Sequence, residues 1–185
     1  MNTTKKHPPV PFNRSYWVVP GKFLAGSYPG SENTDRADKK LRNLIHCGIR
    51  HVISLMQQNE IACYGLPLEY FERMESIAEK LGVSVTYDQF SIEDMNVPGK
   101  QKMIDILDRI DTCIGSDKPV FIHCWGGRGR TGTVVGCYLV RHGIATGEQV
   151  LEKIRTLREN TLNADFPSPM TREQAQMVVN WKEGM

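Results

Sequence analysis

The sequence lacks a run of apolar residues long enough to cross a bilayer, for which a helix needs about 20 residues. It also lacks an excess of charge of one sign, because 23 Lys and Arg stand against 21 Asp and Glu and leave a formal net charge of +2. The basic residues at the start of the chain have no apolar run behind them, so they do not resemble a signal peptide. We therefore expect a soluble, cytoplasmic and monomeric protein with no membrane span and no nucleic-acid partner.

Cysteine is also scarce, and its spacing argues against two further kinds of protein. The five cysteines form an odd number and include no C-x-x-C pair. A disulfide framework or a zinc site needs cysteines in paired spacings. The sequence therefore predicts reduced cysteines, no bound metal and no other cofactor. The cysteines are Cys47, Cys63, Cys113, Cys124 and Cys137.

The chain of 185 residues is long enough for one domain with a substantial core and short for two. Its first dozen residues contain three prolines and two lysines, a composition typical of a mobile segment. No repeat, low-complexity tract or internal linker follows. We therefore expect a flexible arm over residues 1–12 and a single domain over residues 13–185.

Within this domain, segments typical of strands alternate with segments typical of helices. Such a chain forms a mostly parallel sheet that is covered by helices on its faces. The sequence therefore predicts an α/β fold with a central, mostly parallel sheet flanked by helices. The predicted strands are 16–19 and 22–25, which form a hairpin, then 51–55, 83–87 and 120–123. The predicted helices are 35–46, capped by Thr34, then 68–81, 100–114, 131–142, 147–158 and 171–181.

The most informative segment, HCWGGRGRT, follows the last predicted strand. Cys124 directly follows this strand, the glycines after it allow a tight turn, and a helix begins near Arg130. Backbone N–H groups in such a turn and the N-terminus of a helix together form an anion site, and the same field favours a thiolate. The planar fork of Arg130 can hold two phosphoryl oxygens, and Thr131 can donate its hydroxyl to the sulfur. We call this segment the phosphate-binding loop; its other members are His123, Trp125, Gly126, Gly127, Arg128 and Gly129.

The run His123-Cys124-x5-Arg130-Thr131 resembles the H-C-x5-R-[ST] signature of the protein-tyrosine-phosphatase superfamily. The size of the chain resembles the compact dual-specificity members, including bacterial ones, and the resemblance covers roughly residues 12–181. It implies a protein-tyrosine-phosphatase-like three-layer fold and a metal-independent hydrolase of phosphate monoesters. In that mechanism the Cys124 thiolate attacks phosphorus and forms a cysteinyl-phosphate, while Arg130 and the loop amides stabilise negative charge.

Such a mechanism also needs a proton donor for the departing oxygen and a base for the attacking water, and one carboxylate can serve both steps. The resemblance implies an Asp on a loop some thirty residues before the cysteine. Asp94 lies at this distance from Cys124, in the segment IEDMNVP, and is our candidate. Glu93 and Asp88 are interpreted as a solvated neighbour and a strand-end residue.

Several residues near the loop have both a functional and an ordinary interpretation. The resemblance implies that His123 shapes the loop by hydrogen-bonding backbone, but it can also be a satisfied core histidine. Gln174 lies in a segment that resembles one near the catalytic water of related enzymes, yet Thr171 and Gln174 also form a T-x-x-Q capping box. Arg128 either adds positive charge at the mouth of the pocket or is solvated. Trp125 either walls the pocket or packs beneath it.

In some members of the superfamily a second cysteine forms a reversible, protective disulfide with the oxidised catalytic cysteine. Cys63 or Cys47 can be proposed as such a partner for Cys124. Most stray cysteines, however, are buried hydrophobic residues. Cys137 lies on the apolar helix after the loop and is expected in the core.

For the substrate, we expect a phosphorylated protein or a small phosphate ester, and a protein tyrosine or dual-specificity phosphatase. Inositol-phosphate-hydrolysing members of the superfamily often carry extra basic residues in the loop, and this loop has Arg128. The net charge of only +2 and the lack of basic residues in segment 93–99 favour phosphotyrosine instead. An inositol phosphate or phosphoinositide phosphatase is the alternative enzyme. A non-catalytic phosphate-binding module is the alternative of another class.

Overall fold

A sheet of five strands lies at the centre of the molecule, which a computed structural model describes over residues 8–58, 60 and 70–185. The strands are β1 (Ser15–Val19), β2 (Phe23–Ser27), β3 (His51–Ser54), β4 (Thr86–Gln89) and β5 (Val120–Cys124). Their spatial order is β1-β2-β5-β3-β4. The hairpin β1–β2 is antiparallel and the other neighbours are parallel, so the predicted mostly parallel sheet is confirmed.

Helices cover both faces of this sheet. In the described residues they are α1 (Thr34–His46), α2 (Tyr70–Lys80), α3 (Lys100–Gly115), α4 (Arg130–Arg141), α5 (Gln149–Arg158) and α6 (Arg172–Val179). One buried core contains side chains of α1 and α2, and the other contains side chains of α3 to α6. The predicted three-layer arrangement is therefore present. None of these helices is both long and apolar enough to cross a bilayer.

The central strand β5 shows how the sheet separates the two cores. Ile122 and Cys124 belong to the core shared with α3 to α6, and Phe121 belongs to the core shared with α1 and α2. Successive side chains of a strand face opposite sides of a sheet, so every residue of β5 is buried. Burying an apolar side chain of this size contributes about 1.5–3 kcal/mol to folding. The same packing fixes Cys124 at the carboxyl end of a fully buried strand.

Strand β4 begins later than the predicted 83–87. Gly82 has a positive φ of 69°, and the Val83 N–H donates to the Ala78 carbonyl at 3.0 Å, which is the pattern of a helix C-cap. The sheet ladder begins only where the Thr86 N–H donates to the Arg50 carbonyl at 2.9 Å. Residues 83–85 therefore close α2 before the chain enters the sheet, and the start of the predicted strand was placed about three residues too early.

The ends of two helices can be compared with their predicted caps. Asn33 rather than Thr34 caps α1, because the Asn33 side-chain oxygen accepts from the Arg36 N–H at 2.9 Å. At α6 the predicted capping box is present. The Thr171 hydroxyl accepts from the Gln174 N–H, and the Gln174 side-chain oxygen accepts from the Thr171 N–H, both at 3.2 Å.

Part of the segment before β1 lies against the rest of the chain. The Pro9 carbonyl accepts from the Trp17 indole N–H at 3.3 Å, and the Pro11 carbonyl accepts from the Asn43 side-chain amide at 2.9 Å. Residues 9 and 11 thus contact β1 and α1. The extent of a flexible arm over residues 1–12 stays a prediction.

Candidate active site

The phosphate-binding loop turns tightly against strand β2. Gly127 has a positive φ of 71°, a conformation that L side chains rarely adopt. A Cβ at this position would lie 2.6 Å from backbone atoms of Gly26 and Ser27. Both the conformation and the close approach therefore require glycine. The loop then enters α4 at Arg130, where the free N–H groups of the first helical turn add to the anion site.

The carbonyl groups of the loop accept hydrogen bonds from donors that surround it. In a trans peptide the C=O and the N–H of the following residue point in opposite directions. A carbonyl that is held from outside therefore turns the next N–H toward the inside of the loop, where one anion can accept from several of them. The bonds run from His123 Nδ1 to Cys124 O (3.3 Å), from the Tyr28 N–H to Trp125 O (3.1 Å), from Asn163 Nδ2 to Gly126 O (3.2 Å) and from Ser168 Oγ to Arg128 O (2.8 Å).

His123 is fully buried and uncharged. Burial lowers the pKa of its imidazole to about 3, against the smaller opposing effect of the hydrogen bond to the Cys124 carbonyl. The Tyr70 hydroxyl lies 2.6 Å from His123 Nε2, and burial raises the pKa of Tyr70 well above its ordinary value. The phenol therefore donates to Nε2, and the imidazole proton resides on Nδ1, where it faces the Cys124 carbonyl. The imidazole of His123 thus connects the Tyr70 hydroxyl to the Cys124 carbonyl of the loop.

Arg130 reaches from the start of α4 to carboxylates in two other segments of the chain. Its side chain is only 1% exposed. Nη1 and Nη2 donate to the two carboxylate oxygens of Glu60, both at 2.6 Å. Nη1 also donates to Ile92 O at 3.1 Å, and Nη2 forms an ion pair with Asp94 Oδ1 at 2.8 Å. Burial opposes the guanidinium charge, but the hydrogen bonds donated to Glu60 and the charges of Cys124, Glu60 and Asp94 together raise the pKa of Arg130.

The third nitrogen of this guanidinium, Arg130 Nε, is buried and has no hydrogen-bond partner among the described residues. An unpaired buried donor costs about 1–3 kcal/mol, so any acceptor that bonds Nε lowers the free energy of the site. Glu60 occupies the edge formed by Nη1 and Nη2. The edge formed by Nε and Nη2 is the one that can receive two oxygens of a phosphoryl group, and it adjoins Asp94.

Of the three acidic residues considered in this part of the sequence, only Asp94 contacts the guanidinium of Arg130. Asp94 is 53% exposed, so it can reach both the arginine and solvent. Glu93 accepts from the Asn96 side-chain amide at 2.8 Å. Asp88 accepts from Arg109 in α3 and lies within β4. Glu93 is exposed and Asp88 lies near the end of β4, in line with their interpretation as a solvated neighbour and a strand-end residue. The choice of Asp94 as the acid stays a prediction.

Gln174 connects α6 with both the loop and the segment that carries Asp94. Besides its part in the capping box, its Nε2 donates to the Asn96 carbonyl at 3.1 Å. The side chain is fully buried, and a Cβ on Gly129 would lie 3.1 Å from its Oε1. The two interpretations of Gln174 are therefore compatible, since a single amide caps the helix and lies between Gly129 and the candidate acid segment.

Two large side chains of the loop pack against aromatic rings. The Arg128 guanidinium lies over the Phe166 ring, 4.8 Å from its centroid, so it is engaged rather than merely solvated. Trp125 stacks on Tyr28 with the ring centroids 5.5 Å apart and packs against the core under α1 and α2. Of the two interpretations of Trp125, the geometry agrees with packing beneath the loop.

Thr131 has a different partner from the one predicted. Its hydroxyl donates to the Gly26 carbonyl at 3.4 Å. A hydroxyl has one proton, so in this structure that proton is directed toward β2 rather than toward the sulfur of Cys124. The physical reason is the sheet order, which places β2 directly beside β5 and brings the Gly26 carbonyl under the start of α4.

The proposed disulfide between Cys47 and Cys124 is excluded by the topology. Cys47 follows α1 and precedes the amino-terminal end of β3, where His51 pairs with Val120. Cys124 lies at the carboxyl end of β5, four residues further along the parallel ladder. The two thiols therefore lie near opposite ends of the sheet, and Cys47 also packs against the core on the other face.

Cys63, the other candidate redox partner, lies outside the described residues. Cys137 lies in the core, as predicted, where burial raises the pKa of its thiol. No group of three or more His, Cys, Asp or Glu side chains within the described ranges could hold a metal ion.

Sequence reasoning missed several residues that support the loop, among them Glu60, Tyr70 and Asn163. Glu60 follows β3, the strand beside β5, so a carboxylate just beyond a buried strand was the available signal. Tyr70 had no such signal, because an aromatic residue at helical spacing normally indicates core. Asn163 had none either, because a polar residue in a loop normally indicates solvent.

Comparison with known proteins gives a consistent result. Residues 27–144 match the family described as "Polymorphic toxin system, DSP-PTPase phosphatase". Protein tyrosine phosphatase domain-containing protein 1 of Bos taurus is 28% identical over 166 residues, which cover 89% of this chain and 20% of that protein. Dual specificity protein phosphatase CDC14A of Homo sapiens is 26% identical over 171 residues, which cover 91% of this chain and 26% of that protein.

A solved structure of kinase associated phosphatase, with its catalytic-site cysteine replaced by serine, has the same fold. The TM-score is 0.67 at 20% sequence identity, over 89% of this chain and 90% of that one. The chain spans about a fifth to a quarter of the length of the two curated relatives named above.

Proposed function

Because the chain belongs to the DSP-PTPase phosphatase family, we propose that it hydrolyses phosphate monoesters through a cysteinyl-phosphate intermediate. The observation that carries this proposal is the buried, unpaired Nε of Arg130, close to a loop whose carbonyls are held from outside. These features supply a planar cationic edge and several N–H donors around the end of the strand that carries Cys124. Such a set of donors matches a phosphoryl group, which has three oxygens to satisfy.

In the first step, the Cys124 thiolate attacks phosphorus and forms an S–P bond. The P–O bond to the leaving group breaks, and the departing oxygen takes a proton from the Asp94 carboxyl. Arg130 and the inward N–H groups stabilise the charge on the equatorial oxygens, which is the largest contribution expected for phosphoryl transfer. The ion pair of Asp94 with Nη2 of Arg130, at 2.8 Å, supports this assignment because it places the acid beside the phosphoryl edge.

In the second step, water attacks phosphorus and gives a proton to the Asp94 carboxylate. The S–P bond breaks, inorganic phosphate leaves, and Cys124 returns to the thiolate. The buried Gln174 amide, which bonds the Asn96 carbonyl, is proposed to orient this water beside Asp94. The hydroxyl of Thr131 would have to turn from the Gly26 carbonyl toward the sulfur in order to assist its departure.

The experiment that tests this proposal combines steady-state and acid-quench measurements with an aryl phosphate. We expect turnover that persists in EDTA and is inhibited by vanadate, which mimics the five-coordinate phosphoryl group. A ³²P-labelled phosphopeptide quenched in acid should leave label on the peptide that contains Cys124. Phosphate binding without turnover would support the non-catalytic alternative. Activity that is lost on chelation and restored by a divalent ion would contradict the mechanism.

For the substrate class, we propose a preference for phosphotyrosine in proteins over inositol phosphates. Arg128, the extra basic residue of the loop, lies over the ring of Phe166. Phe166 is itself 58% exposed. This arrangement supports the proposal because a phosphotyrosine ring can pack against an exposed aromatic ring, whereas an inositol polyphosphate needs the cation free.

Two variants separate these substrates. Phe166→Ala should raise KM for a phosphotyrosine peptide by roughly 2–12-fold, the range of an aromatic pair. Leu162→Ala, which removes another exposed apolar residue of the same loop, is the matched control. Arg128→Ala should leave kcat and KM for an aryl phosphate unchanged. A higher kcat/KM on inositol polyphosphates than on phosphotyrosine peptides, with a raised KM for the former in Arg128→Ala, would favour the inositol alternative. The monomeric state and the cytoplasmic setting stay predictions.

A further inference from the structure

We infer that Asn163 is a positioning residue for the reaction, because it holds the Gly126–Gly127 peptide in the orientation that turns the Gly127 N–H toward the phosphoryl group. Asn163 Nδ2 donates to Gly126 O at 3.2 Å from a segment outside the loop. Among the described residues, Asn163 Nδ2 is the donor that bonds the Gly126 carbonyl. The inference rests on the proposed phosphatase function, since it assigns a task within the same loop.

The Gly126–Gly127 peptide is the one peptide of the loop that has glycine on both sides. A peptide flip changes ψ of the first residue and φ of the second, and glycine tolerates both signs of these angles. Sterics therefore do little to choose between the two orientations of this peptide. The hydrogen bond from Asn163 selects one of these two orientations, because it favours the one with the Gly126 carbonyl outside the loop and the Gly127 N–H inside it.

The orientation of the Asn163 amide is itself fixed by chemistry. Arg158 Nη2 can only donate, and it lies 3.2 Å from Asn163 Oδ1. Gly126 O can only accept, and it faces Asn163 Nδ2. The Thr161 hydroxyl is also 3.1 Å from Oδ1. The two partners whose roles are fixed, Arg158 Nη2 and Gly126 O, therefore require the oxygen of the amide on the Arg158 side and the nitrogen on the side of the loop. The Thr161 hydroxyl allows either orientation, because its one proton can also be donated to the Arg158 carbonyl at 2.8 Å.

Arg158 makes this arrangement rigid. Its side chain is almost fully buried, and it donates from Nη2 to Asn163 O at 2.9 Å and from Nη1 to Phe166 O at 3.0 Å. Within the part of the chain that the structure describes, no carboxylate forms an ion pair with Arg158. A buried guanidinium is costly unless its donors are used. The fold uses them to hold both the backbone and the side chain of Asn163.

The test uses two substitutions at Asn163 and two at Asn160, an exposed asparagine three residues earlier that bonds only Glu159 in the described structure. Asn163→Asp keeps an oxygen for Arg158 but replaces the donor that faces Gly126 O. Asn163→Ala removes the side chain without adding charge. Asn160→Asp and Asn160→Ala are the matched controls for an added carboxylate and for a lost asparagine in the same turn.

Vanadate affinity and the Gly127 amide resonance are the readouts. The inhibition constant for vanadate should rise roughly 10- to 100-fold in both Asn163 variants, the range of one hydrogen bond to a charged acceptor, and stay within twofold in both Asn160 variants. In the parent protein the Gly127 N–H signal in an ¹⁵N–¹H spectrum should shift when vanadate is added. In Asn163→Asp this shift should be lost, although a role in stability alone would leave it in place.

Vanadate affinity and a Gly127 shift that match the parent in a folded Asn163→Ala protein would overturn the inference and leave the proposed function standing. If both variants fail to fold, hydrogen exchange in the parent protein tests the inference. Its Asn163 side-chain amide protons should exchange with water much more slowly than those of Asn160, and equal rates would refute the inference. A folded parent that neither binds vanadate nor turns over an aryl phosphate would instead contradict the proposed function, and the inference with it.

Discussion

Two of the arginine–carboxylate groups in this fold, those of Arg130 and Arg109, differ in what surrounds them. Arg130 is 1% exposed and pairs with Glu60 and Asp94. Arg109 is 38% exposed and pairs with Asp88, which is 34% exposed. Arg130 extends from the helix that follows the phosphate-binding loop, and its buried Nε has no partner in the part of the chain that the structure describes. Arg109 lies on the surface of α3 and supports the edge strand β4.

The comparison shows that an ion pair does not identify a functional site by itself. An exposed pair such as Arg109 and Asp88 typically contributes at most about 1 kcal/mol to stability. A buried guanidinium has to recover a large desolvation cost, and Arg130 recovers it with acceptors that include Glu60. The unpaired Nε and the oriented loop amides are what distinguish the first group from the second, and the following substitutions test this distinction.

The largest effect is expected at Cys124. Cys124→Ser should abolish turnover of an aryl phosphate, because a serine hydroxyl is not ionised as a thiol can be and is a far weaker nucleophile. The anion site around Arg130 is left intact, so isothermal titration with phosphate or vanadate should still show binding. Measurable steady-state turnover by the Ser variant would show that the nucleophile is a different residue.

The two aspartates give the next comparison. Asp94→Asn should lower kcat by about 10²–10⁴-fold and remove the fall in rate at high pH, because the general acid is lost. Asp88→Asn, which alters the partner of Arg109, should leave both kcat and the pH profile close to those of the parent. The measurement is kcat against pH for an aryl phosphate with a poor leaving group. The opposite result, with Asp88→Asn impaired and Asp94→Asn unaffected, would reverse the assignment of the acid.

The two arginines can be compared directly. Arg130→Lys should lower kcat/KM by roughly 10²–10³-fold, because a lysine provides a point charge and cannot hold Glu60 and a phosphoryl group with one planar fork. Arg109→Lys keeps a cation beside Asp88 and should change kcat/KM by less than about twofold. If both variants retained activity, the two-edged use of the Arg130 guanidinium would be refuted.

The smallest effect concerns stability and its pH dependence at His123. Burial lowers the pKa of this imidazole from its ordinary value of 6.5 to about 3. As pH falls below 6.5, an unfolded chain takes up a proton that the native His123 does not, so this contribution to stability is complete above pH 6.5 and decreases toward pH 3. Between pH 7 and 4.5 the parent should lose about 2–3 kcal/mol of unfolding free energy more than His123→Gln. Urea unfolding at the two pH values measures this difference.

His46→Gln, which removes an exposed histidine at the end of α1, is the matched control for this experiment. An equal loss of stability with pH in the parent and in His123→Gln would mean that His123 is not held neutral by its burial.

The features that could be predicted from the sequence are those encoded by neighbouring residues. The segment from His123 to Thr131 contains the cysteine, the glycines and the arginine in one run, so its geometry follows from local rules. The apolar spacing of α3 and α4 and the capping box at Thr171 are local in the same way. The mostly parallel sheet followed from the alternation of such local elements.

The features that could not be predicted depend on which distant segments meet. The contact of Glu60 with Arg130 requires β3 to lie beside β5, and a sequence pattern does not give the order of strands. The partner of Thr131 was missed because β2 lies beside β5. The exclusion of Cys47 as a redox partner depends on which end of the sheet each cysteine occupies. In each case the sequence gives the type of the residue but not which distant residue it contacts in the fold.

The supports of the loop are spread along the chain, and this has a consequence for the order in which a ribosome makes them. A nascent chain that has emerged only through α4 already contains Cys124, Asp94 and Arg130. It still lacks Asn163, which bonds Gly126 O, and Gln174, which bonds the segment beyond Asp94. Domains generally fold as units, so the loop gains its full set of supports only after residue 174 has left the exit tunnel. Translation thereby delays the completed loop around Cys124 until the segments that support it have been made.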